Sequence, residues 1–257
     1  MFSEFDQVLQ LWQSYNVKTE TDIDLRLHHF RILFAYNSGK IENQQITYQD
    51  TREIFENGQV QGYTGDPRAL FEQQNQKLCF AYLKPLIVQK VPLSLGLIRE
   101  VHRILTSGTY DERRYVELGE RPGSFKNHDF VTGVAEVGSL PEDVDADMQA
   151  LLDEISENEG KDVLKLAAWF HLRFEYIHPF ADGNGRVGRT LMNYYLMIHA
   201  YPPIIIHDED KGEYYEALQR YDQNEEIEPM YSFLMAQTIK TWKKTLDREC
   251  RRKGHFT

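Results

Sequence analysis

The chain has almost no cysteine: Cys79 and Cys250 in 257 residues, far apart in sequence. That excludes a disulfide framework and any zinc-type ligand spacing. Cys79, within Leu78-Cys79-Phe80-Ala81, reads as a small core residue. Long hydrophobic runs are missing too, so no segment reads as a membrane span. The start, Met1-Phe2-Ser3-Glu4-Phe5-Asp6, lacks the basic and apolar stretches of a secretory signal. A reduced cytoplasmic setting is therefore the expectation, with no membrane partner. Positive charge is scarce: 29 Lys and Arg stand against 40 Asp and Glu, for a net charge of −11. That argues against nucleic acid as a general partner. The basic cluster Lys240, Lys243, Lys244, Arg248, Arg251, Arg252 and Lys253 reads as the solvated face of a terminal helix. Repeats and low-complexity linkers are absent as well. With 41% hydrophobic and 27% charged residues, the composition is that of an ordinary globular protein.

What is present is helical periodicity. Apolar spacing predicts helices over 25–36, 69–88 (interrupted at Pro85), 95–105, 144–155 and 163–177. Further helices are expected over 186–200, stopped by Pro202-Pro203, then over 212–221 and 229–252. The expected fold class is all-α. One stretch breaks the pattern: Phe130, Val131, Thr132, Gly133, Val134 and the residues to Gly138 are β-branched and Gly-punctuated. They read as a short hairpin or extended flap that must lean on the helices.

The densest chemistry lies in twelve residues, His178-Pro179-Phe180-Ala181-Asp182-Gly183-Asn184-Gly185-Arg186-Val187-Gly188-Arg189. His178 can take a proton from a hydroxyl at neutral pH. Asp182 can hold Mg²⁺, which usually sits on one or two carboxylates plus substrate phosphates. Gly183 and Gly185 let backbone N–H groups approach an anion closely. Arg186 and Arg189 are three apart, so they are expected to share a helix face and each grip an oxyanion. Positioning and charge neutralisation are most of what phosphoryl and nucleotidyl transfer require. The pattern points to a nucleotide polyphosphate.

This segment resembles the Fic family signature, His-x-Phe-x-Asp/Glu-Gly-Asn-Gly-Arg-x-x-Arg, at every fixed position. The resemblance implies an all-α domain with the loop between two central helices, here 163–177 and 186–200, and a β-flap that clamps the target peptide near 130–137. It divides the chain into an N-terminal helical part (1–60), a core (90–222) and a C-terminal helix (223–257) of one Fic-type domain. The chain departs from a pattern common in such families after the flap: Leu140-Pro141-Glu142 stands where a double proline is frequent.

By resemblance, His178 is the general base for a Ser, Thr or Tyr hydroxyl attacking the α-phosphate of ATP. Asp182 binds Mg²⁺ or Mn²⁺. Gly183, Asn184 and Gly185 form the anion cradle, Arg186 holds the β-phosphate and Arg189 the γ-phosphate. Phe180 anchors the loop. Tyr214 or Tyr215 lies against adenine or packs in an amphipathic helix, with Asn193 and Met197 as weaker adenine candidates. Related Doc-type toxins carry Lys at the position of Gly185 and transfer phosphate; Gly185 favours adenylyl transfer.

A second motif, Ser38-Gly39-Lys40-Ile41-Glu42-Asn43, resembles the family's inhibitory pattern, whose fixed positions are Ser38, Glu42 and Asn43. The resemblance implies that Glu42 pairs with Arg189 and misplaces ATP. The expected function is thus an autoinhibited protein adenylyltransferase acting on a target protein. Removal of AMP with Glu42 orienting water, and a non-enzymatic nucleotide-sensing regulator, are the alternatives. Self-modification and a homo-oligomer are both open.

Overall fold

In the computed structural model, residues 3–42 and 46–254 are described; Asn43 of the inhibitory motif lies outside the described residues. Ten α-helices occur among them. The first four are α1 (Glu4–Ser14), α2 (Glu20–Glu42), α3 (Tyr48–Asn57) and α4 (Pro67–Val88). Next come α5 (Leu95–Leu105), α6 (Val144–Glu157), α7 (Val163–Ile177) and α8 (Asn184–Ile198). The last are α9 (Lys211–Asn224) and α10 (Glu228–Gly254). The all-α expectation holds.

Local signals explain most boundaries. The periodicity does not single out α1 and α3, but each opens on a capping box, Ser3 with Asp6 and Thr47 with Asp50. Each box satisfies orphan N–H groups reciprocally. Asp66 caps α4, with Pro67 in the first turn where its missing N–H is harmless. Pro85 does not interrupt α4, which runs on to Val88. Helix α2 is longer than its apolar stretch and extends through Ser38 to Glu42.

The expected hairpin does not form. Thr132 and Val137 exchange two main-chain hydrogen bonds, of 2.8 and 2.9 Å, and no strand flanks that pair among the described residues. The flanking backbone bonds elsewhere. Phe130 O accepts from Lys126 Nζ at 2.7 Å, and the Ser139 N–H donates to Ile177 O at 2.9 Å. The flap is a turn tied to the end of α7.

Helices α7 and α8 lie at the centre, and almost every residue of α8 is buried. They meet closely at Gly188. A Cβ there would lie 2.6 Å from Glu175 Oε1 and 3.0 Å from His171 Nδ1. Overpacking of this kind costs about 1–3 kcal/mol. Gly188→Ala is therefore expected to lower the urea unfolding free energy by that amount; an unchanged midpoint would mean that the helices are not in tight contact there.

Candidate active site

The loop between α7 and α8 is built from its own side chains. His178 caps α7 in the left-handed region (φ 51°), its N–H bonded to Phe174 O at 3.1 Å. Pro179 follows, so the helix cannot continue. Phe180 is fully buried and stacks on His102, ring centroids 3.7 Å apart and nearly parallel. Asn184 closes the loop: its Oδ1 accepts from the Phe180 N–H at 2.9 Å, and its Nδ2 donates to Phe180 O at 2.7 Å. Its side chain is therefore occupied within the loop, and only its main-chain N–H is offered to an anion. Gly183, at φ 83°, precedes α8 without any side-chain cap. The first N–H groups of α8 thus lack helical acceptors, and such an end favours anions.

His102 was legible only as one position of an apolar stripe. Its Nδ1 accepts from the Gly123 N–H at 2.8 Å. Nε2 must then carry the proton and donate to Asp182 O at 3.0 Å. Burial, with help from the Arg186 charge, pushes His102 down to about 3. It is a neutral strut that fixes the carbonyl of Asp182.

One cavity of about 500 Å³ gathers the sequence candidates. His178, Asp182, Gly183, Asn184, Gly185 and Arg189 border it, as do Tyr214, Tyr215 and flap residues Phe130 to Val134. Glu42 borders it from α2. Tyr214 is fully buried and shares a hydrogen bond with His171 Nε2 (2.8 Å), so most of its surface serves packing. Tyr215 is about half exposed. Asn193 and Met197 lie elsewhere, in a crevice with Phe30 and Phe34. The Asn193 amide is engaged with the main chain of Ile204 at both ends.

Arg189 is 1% exposed. Its Nε donates to Ser38 Oγ at 3.0 Å, and Nη2 donates to Ser38 O at 3.1 Å and to Glu42 Oε1 at 2.7 Å. Burial, the largest single influence, works against its charge, yet the Glu42 carboxylate together with Tyr214 and Glu175 raises its pKa. Gly185 makes room for this contact: a Cβ there would collide with the Glu42 oxygen and stand 2.9 Å from Arg189 Nη1.

Arg186 behaves differently from the expectation. It is 3% exposed, does not border the cavity, and lies 3.0 Å from Glu72 Oε1 and 3.7 Å from Asp182 Oδ1. Arg68 completes the ring, donating to Glu72 at 3.0 Å and to Asp182 Oδ2 at 2.5 Å. The two loop arginines diverge because Glu72 on α4 draws one and Glu42 on α2 draws the other.

His178 is pushed down to about 4, by burial first and the Lys126 charge second. Lys126 is another residue that the sequence left unread. Buried beneath the flap, it reaches Phe130 O through its ammonium and Pro179 O through its N–H. It ties flap to loop, and its charge adds to burial in keeping the His178 imidazole neutral at physiological pH. A single acidic side chain of the loop, Asp182, borders the cavity. One carboxylate plus phosphates is enough for Mg²⁺. No cluster of three His, Cys, Asp or Glu that could hold a metal alone occurs among the described residues.

A helix N-terminus and a buried arginine beside a neutral imidazole in one cavity give the domain groups that favour an anion. Residues 92–196 match the Fic/DOC family. The Protein adenylyltransferase Fic of Drosophila willistoni is 32% identical over 209 residues, 80% of this chain and 40% of that protein. The protein of the same name from Nematostella vectensis is 30% identical over 213 residues, 80% of this chain and 46% of that one. A Fic domain containing signaling protein from Bacteroides thetaiotaomicron matches with a TM-score of 0.81 at 26% identity, over 95% of this chain and 96% of that chain. Fic-1 from C. elegans shares the fold, with a TM-score of 0.77 at 22% identity, over 99% and 73% of the two chains. The chain belongs to the Fic/DOC family. It spans about two fifths of the length of the first curated relatives. Among the described residues no helix is long and apolar enough to cross a membrane.

The buried histidines dictate a pH response. His102 and His171 are pushed down to about 3 and His178 to about 4, with burial the first cause in each. Unfolded, they titrate near ~6.5. Burial lifts Glu175 the other way, to about 8. Between about pH 6.5 and 4.5 the unfolded chain binds up to three more protons at the histidines and one fewer at Glu175. The net uptake of about two protons makes stability fall on acidification, by up to roughly 3 kcal/mol per pH unit. Urea unfolding at a series of pH values checks this; a flat midpoint across that window would mean that the histidines are not held neutral.

Proposed function

We propose that the chain is a protein adenylyltransferase that moves AMP from ATP to a Ser, Thr or Tyr hydroxyl of a target protein. We further infer that Glu42 restrains it in cis. The observation that carries the reading is the single cavity in which His178, the N-terminus of α8, Arg189, the flap and Glu42 meet.

His178 is neutral at physiological pH, so it can accept the acceptor hydroxyl's proton as the oxygen attacks the α-phosphate. A bond forms from that oxygen to phosphorus, the bond to the bridging oxygen breaks, and pyrophosphate leaves. N–H groups at the start of α8 stabilise the charge that builds on phosphate oxygens. Arg189 would seat the terminal phosphate, and Tyr215, half exposed at the rim, offers a ring face to the base. Asp182 would hold Mg²⁺ or Mn²⁺, which supplies positive charge to the triphosphate when bound. The flap, with Val131 and Val134 exposed, offers main-chain groups to an extended target segment. Gly185 adds no side chain at the cradle, where the Glu42 carboxylate now stands.

Restraint follows from the Glu42 contact. With Arg189 committed to Glu42, the terminal phosphate loses its seat and the α-phosphate sits off line. A displacement near 1 Å costs on the order of a hundredfold in rate. A second reading rests on Glu42 bordering the same cavity as His178. There it could orient a water toward an AMP-modified side chain and run the transfer in reverse.

Intact-mass spectrometry after incubation with ATP and Mg²⁺ tests both the transfer and the restraint. Glu42→Gly is expected to raise AMP incorporation roughly ten- to a hundredfold over the parent. Adding His178→Ala to that variant should lower it by about 10²–10⁴. Labelled ATP with cell lysate extends the assay to targets other than the chain itself. Equal rates for parent and Glu42→Gly would remove the restraint from this account. A phosphate-sized gain would replace adenylyl transfer with phosphoryl transfer, and AMP release from a modified target that depends on Glu42 would favour the reverse reaction.

A further inference from the structure

Glu175 is the acidic residue of α7, and the reaction above gives it no task. Its carboxylate borders the cavity, and its Oε1 is buried without a hydrogen-bond partner. It fills the slot that Gly188 leaves open on α8. His171 Nδ1, likewise buried and unpartnered, stands 3.9 Å away. Burial lifts Glu175 to about 8, while the Arg189 charge pulls it down and the Glu42 charge pushes it up. A buried carboxyl with a bare oxygen calls for an explanation. Arg189 provides it. That guanidinium is buried, and among the described residues the carboxylate that pairs with it is Glu42, whose side chain is 38% exposed.

We propose that Glu175 is a positioning residue that takes over as the counter-ion of Arg189 when Glu42 withdraws. While Glu42 is in place, Glu175 keeps its proton and stays neutral. Once Glu42 leaves, Arg189 would keep its neutral Ser38 acceptors but stand as a buried charge with no counter-ion, which proteins tolerate poorly. Glu175 then loses its proton: one O–H bond breaks, the proton leaves through the cavity to solvent, and the carboxylate holds the guanidinium. A phosphate oxygen that reaches Arg189 lets Glu175 take a proton back. Withdrawal of Glu42 is therefore tied to release of one proton, and higher pH favours it.

The groups that face Glu175 are His171 on α7 and His178 at its cap, Arg189 on α8, Glu42 on α2, and Tyr214, Tyr215 and Asp222 on α9. Burial keeps both histidines neutral and both tyrosines protonated around neutral pH. Asp222 is also lifted by burial, and Asp222→Asn serves as the control. The proposal rests on the reading of Glu42 as a removable clamp. Its test reads folding and protonation, so its failure is separate from any failure of AMP transfer.

The test is a double-mutant cycle in urea without nucleotide, using Glu42→Gly, Glu175→Gln and their combination. The combined variant should lose at least tenfold more in its folding equilibrium constant than the product of the two single losses. Millimolar inorganic triphosphate should restore most of that excess. Asp222→Asn combined with Glu42→Gly should show no such excess. Single effects that simply multiply would overturn the proposal. Should the combined variant fail to fold, carboxyl ¹³C titration of Glu175 in the parent and in Glu42→Gly decides the matter. Its midpoint should fall from above neutrality to below the ordinary glutamate value of ~4.3. Mere loss of repulsion from Glu42 would leave the midpoint of a buried carboxyl above that value, and such a result would also overturn it.

Discussion

A guanidinium almost wholly removed from water cannot remain charged inside a helical core unless a carboxylate meets it. Arg189 imposes that requirement on the whole N-terminal half. Its partner comes from Glu42, 147 residues earlier in the chain. Helix α2 must therefore run its full 23 residues, past the end of its apolar face, to deliver Ser38 and Glu42 to α8. Breaking a fully buried pair from one side costs about 3–5 kcal/mol. Glu42 keeps 38% of its side chain exposed, so water screens this pair and places it below that range. The arrangement is strong enough to order α2 against α8 and open enough for another anion to replace it.

The second arginine shows what Arg189 would be without that opening. Arg186 lies three residues earlier, yet Glu72, Arg68 and Asp182 enclose it beneath the loop. Alternating charges in such a ring balance one another and hold α4 to the loop, although Arg186 Nε and Nη1 make no hydrogen bond there. The Asn184 amide and the His102–Phe180 stack do the same for the backbone. The loop is thus stiff before any ligand enters, which is what a site that works by positioning requires. Only Arg189 keeps a replaceable partner.

The sequence made the chemistry legible where residue types are scarce and spacing is short. The twelve residues from His178 to Arg189 meet in one loop because neighbours in sequence cannot lie far apart in space. Helices with clear apolar stripes were equally readable, and 163–177 matches α7 at both ends. What escaped was decided by distant partners. The three-residue spacing puts Arg186 and Arg189 on one face, but which carboxylate claims each is a tertiary fact. The β-branched flap would pair with itself as a hairpin had Lys126 and Ile177 not taken its flanking backbone groups. Helices α1 and α3 are short, each carrying a small apolar face behind a capping box. His102 and Lys126 look like stripe and loop residues until the fold buries them beside the site.

On the proposed reading, the position of Glu42 lets a restraint coexist with a neutral His178. Glu42 engages the arginine and approaches Gly185, whereas the His178 backbone is placed by the left-handed turn at the end of α7 and its side chain is buried near the Lys126 charge. None of these passes through α2. Burial and the Lys126 charge lower His178 more than the Glu42 charge raises it, so the imidazole stays neutral with Glu42 in place, and Asn184 and Gly183 shape the start of α8 without α2. Withdrawal need move little more than one side chain at the end of one helix. The energy to be overcome is then a partly solvated ion pair rather than the repacking of a core. An anionic ligand of sufficient charge can meet that demand by mass action, because it replaces the same contact it displaces.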